Sequence, residues 1–254
     1  MERWHALCPN WALTLFFVLI VTLNVLCSYY GFSVVTKTMT LSTVPIVLIL
    51  YFYKQRIMAN IFSVIFALYF LGIIFNAFDQ FSLSTKFSEW CFTGAYLLMV
   101  FVMLGKLKGV KLEGFVSWYL IVVFFISTYF VFLLFTGLKG SFQDTVILSL
   151  MVSKGVVLLV MAFLAFAIYL SKETAQSIIF LTVVCCFIFS DVSGFITTSY
   201  VQFWLFEAVQ SIFQSIGLFM ACIYVYNHHQ PATRINGRKV FKSISHSSQM
   251  SVQS

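Results

Sequence analysis

Charge and proline are both scarce in this chain. Of its 254 residues only 9% are charged and three are proline, while 61% are hydrophobic. So little polar surface excludes a soluble globular domain, which could not cover that much apolar area. Strict alternation over about ten residues is missing too, which excludes an outer-membrane strand barrel. The six cysteines lack metal-type spacing. Cys27, Cys185, Cys186 and Cys222 lie in apolar runs and read as small hydrophobes. No A-x-A-like cleavage site follows the first apolar run, so it reads as a span and not a signal peptide. His228, His229 and His246 read as solvated tail residues, so neither a metal nor another cofactor is expected.

What is abundant is long apolar runs, rich in the 31 phenylalanines. A spanning helix needs roughly 20 such residues. Eight runs qualify, at 11–30, 38–53, 59–78, 89–104, 115–136, 144–170, 175–197 and 201–226. The second is short enough that a re-entrant segment, leaving seven spans, is the alternative. The fold expected is an all-α membrane protein: a compact antiparallel bundle of eight transmembrane helices in one domain, residues 1–226. Residues 227–254, rich in Ser, Gln and His, form a flexible basic tail.

Lysine and arginine placement supports eight. Arg3, Lys54, Arg56, Lys106, Lys108, Lys111, Lys172, Arg234, Arg238, Lys239 and Lys242 fall on one side. Lys37, Lys86 and Lys139 fall on the other, and Lys154 lies within a span. The positive-inside rule then puts both termini in the cytoplasm. The short loops favour a bacterial cytoplasmic membrane. The net charge of +7 reflects this topology and attraction to anionic lipid, with no need for nucleic acid.

Against that background five ionisable residues in or beside the spans stand out: Lys37, Asp79, Lys154, Asp191 and Glu207. Intramembrane charge costs at least a few kcal/mol, so it is usually paired and cavity-facing. At 1.5 Å per residue, Asp191 and Glu207 lie about 9 Å from the ends of spans 7 and 8, and Lys154 about 15 Å into span 6. Lys37 opens span 2 and Asp79 closes span 3, so all five fall in the non-cytoplasmic half. Polar neighbours recur at helical spacing: Asn76 with Asp79, Ser190 beside Asp191, and Glu207, Gln210, Ser211 and Gln214 on one face of span 8. A shared chamber open outward is the economical reading. Lys37 and Lys154 are 117 residues apart, and Asp79 and Asp191 are 112 apart. A duplicated four-helix unit would produce such an echo.

These residues carry a resemblance. The chain resembles the YhhN-like membrane proteins, the family that includes the lysoplasmalogenases, across roughly residues 30–225. That family's second helix starts with Lys-Pro, here Lys37-Thr38. Its third ends in F-S-x-x-G-D, here Phe75-Asn76-Ala77-Phe78-Asp79, and its seventh carries F-x-x-S-D, here Phe187-Ile188-Phe189-Ser190-Asp191. The chain departs from the pattern at Thr38 and Phe78, at Val100 where a histidine is usual, and at Lys154 where a tyrosine is usual. The glutamine of the eighth helix corresponds to Gln210 or Gln214.

The resemblance implies eight helices and hydrolysis of the vinyl ether of a lysoplasmalogen. Such a bond is cleaved by protonating its β-carbon and capturing the oxocarbenium ion with water, which needs an acid and a base. Asp191 is then the candidate acid and Asp79 its partner or base. Lys37 would hold the lipid phosphate, with Asn76, Ser190, Lys154, Glu207, Gln210 and Gln214 lining the substrate site. Membrane lipid is both environment and substrate. Each residue also has a structural reading. Lys154 with Asp191 can be an ion pair that fixes packing, in which case Asp191 is held ionised and is a poor acid. Lys37 can snorkel, Asp79 can be a loop acid, and Glu207 with its glutamines can join helices. A non-catalytic lipid-binding relative and an ion or small-solute transporter are the rival function classes.

Overall fold

The computed structural model describes residues 11–54, 60–78, 82–107, 145–172, 174–199 and 203–229, with 118, 121–122, 124–129, 132–133 and 136 between them. Every regular element among these is helical. The helices are α1 (Trp11–Tyr29), α2 (Ser33–Lys54), α3 (Asn60–Ala77), α4 (Ser82–Lys106), α5 (124–129), α6 (Thr145–Lys172), α7 (Ala175–Ser199) and α8 (Trp204–His229). They follow the eight apolar runs in order. Four contain stretches long and apolar enough to cross a membrane: Leu83–Lys106, Thr145–Ser171, Ala175–Thr197 and Trp204–Val225. Phe17–Tyr29, Val35–Ile49 and Ile61–Ala77 are shorter apolar stretches. Phe101, Phe125 and Trp90 are exposed on the outside of the bundle, as bilayer-facing side chains are.

Several boundaries differ from expectation, with local causes. Helix α2 is continuous over 22 residues despite Pro45. Helical proline loses one backbone bond, which packing against other helices makes tolerable. Helix α4 begins at Ser82, seven residues before the expected start at 89, because its first two turns are mixed polar and apolar. Helix α8 continues through Asn227–His229, residues expected in the tail; 230–254 lie outside the described residues, as does Asp79. The loop after α1 is a Schellman turn. Phe32 N–H donates to Cys27 O, Gly31 N–H donates to Ser28 O, and Gly31 takes φ +72°, a conformation that favours glycine. Helix α7 starts with a reciprocal cap, Thr174 N–H donating to Ser177 Oγ and Ser177 N–H to Thr174 Oγ1.

The helix contacts form a ring. Helix α2 touches α3, α3 touches α4, α4 touches α6, α6 touches α7, α7 touches α8, and α8 returns to α2. Helix α1 sits outside that ring against α2 and α8. The Phe124 ring of α5 meets Phe163 of α6 at 5.2 Å. Exchanging the two halves maps these ring contacts onto one another: α2·α3 onto α6·α7, α3·α4 onto α7·α8, and α8·α2 onto α4·α6. Helices that are neighbours in the chain touch, as sequence order suggests, and the α4·α6 and α8·α2 seams close the ring in addition.

Small residues set the tightest crossings. A Cβ on Gly72 would lie 2.9 Å from the Phe92 ring, and one on Gly217 would lie 3.0 Å from Phe187. By contrast, Gly105 has nothing within 4 Å of such a Cβ. Gly72→Leu should therefore destabilise the α3–α4 packing by about 1–3 kcal/mol, while Gly105→Leu should be neutral or stabilise by up to about 1 kcal/mol. Thermal unfolding of the two purified variants side by side checks this.

Candidate functional site

The ring encloses a cavity of about 1210 Å³, lined by side chains from all eight helices. Among the described residues it gathers every sequence-named candidate: Lys37, Asn76, Lys154, Ser190, Asp191, Glu207, Gln210 and Gln214. The shared chamber expected from helix depth is present. Asp79, the other expected catalytic residue, lies outside the described residues.

One wall is an ion cluster. Lys154 Nζ of α6 lies 2.9 Å from Asp191 Oδ1 of α7 and 2.9 Å from Glu89 Oε2 of α4. Tyr96 of α4 donates its hydroxyl to Asp191 Oδ2 at 2.6 Å. Asp191 therefore accepts a donor on each oxygen. Glu89 shares that ammonium at the same distance, but the Tyr96 hydroxyl goes to Asp191. Two carboxylates sharing one ammonium leave the cluster with one negative charge in excess if both are ionised. Their nearest oxygens are no more than about 6 Å apart. Aromatic rings back the cluster: Lys154 Nζ is 5.8 Å from the Phe92 centroid, Tyr69 packs on Tyr96 at 6.2 Å, and Phe187 packs on both tyrosines.

Helix geometry explains why these groups meet. Glu89 is seven residues into α4, Lys154 nine into α6, and Asp191 eight from the end of α7. At 1.5 Å per residue these are depths of about 10, 13 and 12 Å from one end of the bundle. Glu89 and Tyr96, seven apart, share one face of α4.

The opposite wall belongs to α1, α2 and α8. Asn24 is buried and donates its amide to Ser211 Oγ at 2.8 Å and Thr40 Oγ1 at 3.1 Å. Ser28 Oγ reaches Glu207 Oε2 at 3.5 Å, a weak contact. Glu207 lies in the first turn of α8, where the helix dipole favours an acid. Lys37 lines the cavity from α2. Other candidates serve packing as well as lining. Ser190 spends its hydroxyl on the backbone oxygen of Gln210 at 3.0 Å, so it joins α7 to α8 and is a poor substrate donor. Gln210 fills the space above Gly194, where a Cβ would lie 2.7 Å from its amide.

Sequence reasoning missed Glu89, Tyr96 and Tyr69. Glu89 was read as the edge of its span because α4 starts early. A spacing in the sequence did point to it. Glu89 and Glu207 are 118 residues apart, close to the 117 that separate Lys37 from Lys154. Among the described residues no group of three His, Cys, Asp or Glu side chains could hold a metal ion.

Comparison with known proteins leaves the site to speak for itself. No family model, curated protein or solved structure matches the chain.

The cluster makes the loss of Lys154 costly to the fold. Lys154→Met should cost about 3–5 kcal/mol, since it strands two carboxylates in a largely apolar setting. Tyr96→Phe removes one hydrogen bond to a charged acceptor and should cost about 1.5–3 kcal/mol. Thermal unfolding at fixed detergent concentration distinguishes the two.

Proposed function

We propose that this protein is an intramembrane hydrolase of single-chain ether lipids, cleaving the vinyl ether of lysoplasmalogen-type substrates. The observation that carries this reading is a pair of carboxylates, Glu89 and Asp191, held about one ammonium on the wall of a cavity large enough for a lipid. Its volume exceeds the roughly 300–1,000 Å³ of ordinary small-molecule pockets. Support also comes from the sequence motifs ending in Asp79 and Asp191. In this reading all eight helices cross the bilayer, with both termini cytoplasmic and the polar end of the cavity in the opposite leaflet.

The chemistry divides between the two carboxyl groups. Protonation of the vinyl β-carbon forms a C–H bond and leaves an oxocarbenium ion. Water adds to the α-carbon and gives up a proton to a base. The resulting hemiacetal collapses to an aldehyde and a glycerophospho-alcohol, so one water is consumed. Asp191, with donors on both oxygens, suits the base and the electrostatic partner of the cation. Glu89, which has the shared ammonium without the tyrosine hydroxyl, suits the acid, a role the sequence had suggested for Asp191. Lys154 orients the pair and offsets one of the two charges. Asp79 remains a candidate second base.

Purified protein supplied with lysoplasmenyl-ethanolamine should release fatty aldehyde. Glu89→Gln and Asp191→Asn should each slow that release by about 10²-fold or more. Release at the parental rate from both variants, or no release from the parent, would contradict the assignment.

A further inference from the structure

Most of the cavity is not polar, and its apolar part has a direction. From Lys154 its lining continues down one face of α6 through Gly155, Leu158, Ala162, Phe166 and Leu170. These positions recur every three or four residues, one stripe of a helix. From Leu158 to Leu170 the stripe runs about 18 Å, close to the ~15 Å of one leaflet in a ~30 Å hydrocarbon core. Phe124 and Ile126 of α5 line the facing side. Phe166, Leu170 and Ile126 line the cavity and are each well exposed, so the lower end of the groove is open rather than packed shut.

The two small residues of the stripe bear on what it holds. Gly155 sits inside a helix, has no left-handed φ, and a Cβ there would meet nothing within 4 Å. Neither close packing nor backbone conformation accounts for it, and helical glycine costs about 1 kcal/mol relative to alanine. Its position beside Lys154, on the cavity wall, supplies the reason: a larger side chain would fill the passage between the ion cluster and the groove. Ala162, seven residues further on, leaves room at the next two turns down.

We infer that the α5–α6 groove holds the single hydrocarbon tail of a lipid whose polar end lies at the Lys154 cluster. Gly155 is its throat, and Ala162 sets the chain length it accepts. The occupant is a single-chain amphiphile because one stripe of one helix, continuous with the charged wall, runs for one leaflet's depth. This rests on the lipid reading of the cavity but not on any hydrolysis. Two-chain lipids would be excluded at the throat.

Photo-labelling in nanodiscs tests it. The probe is lysophosphatidylethanolamine with a palmitoyl-length chain carrying a diazirine near its end. It should label α6 between Phe163 and Leu170 together with 124–127 of α5. An octanoyl probe should label nearer Gly155. Ala162→Phe should cut labelling by the long probe at least tenfold and leave the short probe within twofold, which also shows that the variant is folded. Gly155→Phe should abolish labelling by both. Labelling spread over the exposed faces of α1 and α3, or equal loss of both probes in Ala162→Phe, would overturn the inference. Labelling as described from a protein that releases no aldehyde would uphold the groove and defeat only the hydrolase reading. Aldehyde release with no groove labelling would do the reverse.

Discussion

Lys154 bridging Glu89 and Asp191 is the interaction on which the rest of the arrangement depends. It ties α4, α6 and α7 together at one depth, and it spans the α4·α6 seam between the two halves. Apolar packing in a membrane is poorly directional, since lipid tails are as apolar as the side chains they replace. A charge that must find its partner is not so permissive. One ammonium with two carboxylates thus selects a register for three helices that Leu and Phe contacts alone would leave free to slide. Tyr96, Tyr69 and Phe187 then pack around a fixed point.

The same interaction explains why the cavity has two kinds of wall. Charges held at the perimeter leave the space between helices unfilled, and small residues decide where it stays open. Where glycine meets another helix, as at Gly72 and Gly217, the helices close. At Gly155, which lines the cavity and where a Cβ would meet nothing, the cavity continues. The polar α1–α2–α8 wall, with Lys37 and Glu207, forms a second and chemically different pole of the same cavity.

Much of this could be read from residues. Eight apolar runs correspond to eight helical elements, and depth arithmetic on Lys154, Asp191 and Glu207 foresaw that they share one chamber. The pairing of Lys154 with Asp191 was one of two open readings. What escaped were features settled by tertiary contact. Glu89 follows a polar-sprinkled segment that reads as loop but is helical, because its turns pack on α3: Ser88 Oγ donates to Gly72 O at 2.8 Å. Tyr69 and Tyr96 looked like any other aromatic in an aromatic-rich chain, and only the position of Asp191 singles Tyr96 out. Ser190 kept its motif position yet turned its hydroxyl to Gln210, a choice no one-dimensional pattern reveals.

The claim that Lys154 joins both carboxylates is tested most directly by thermodynamic cycles. Stability would be measured for Lys154→Met alone, for Glu89→Gln with Asp191→Asn, and for all three together. The ion cluster predicts strong non-additivity, with the lysine change costing at least about 1–3 kcal/mol less once both carboxylates are neutral. Additive costs within about 0.5 kcal/mol would mean that the three side chains do not interact, and the account of both fold and site would fall with them.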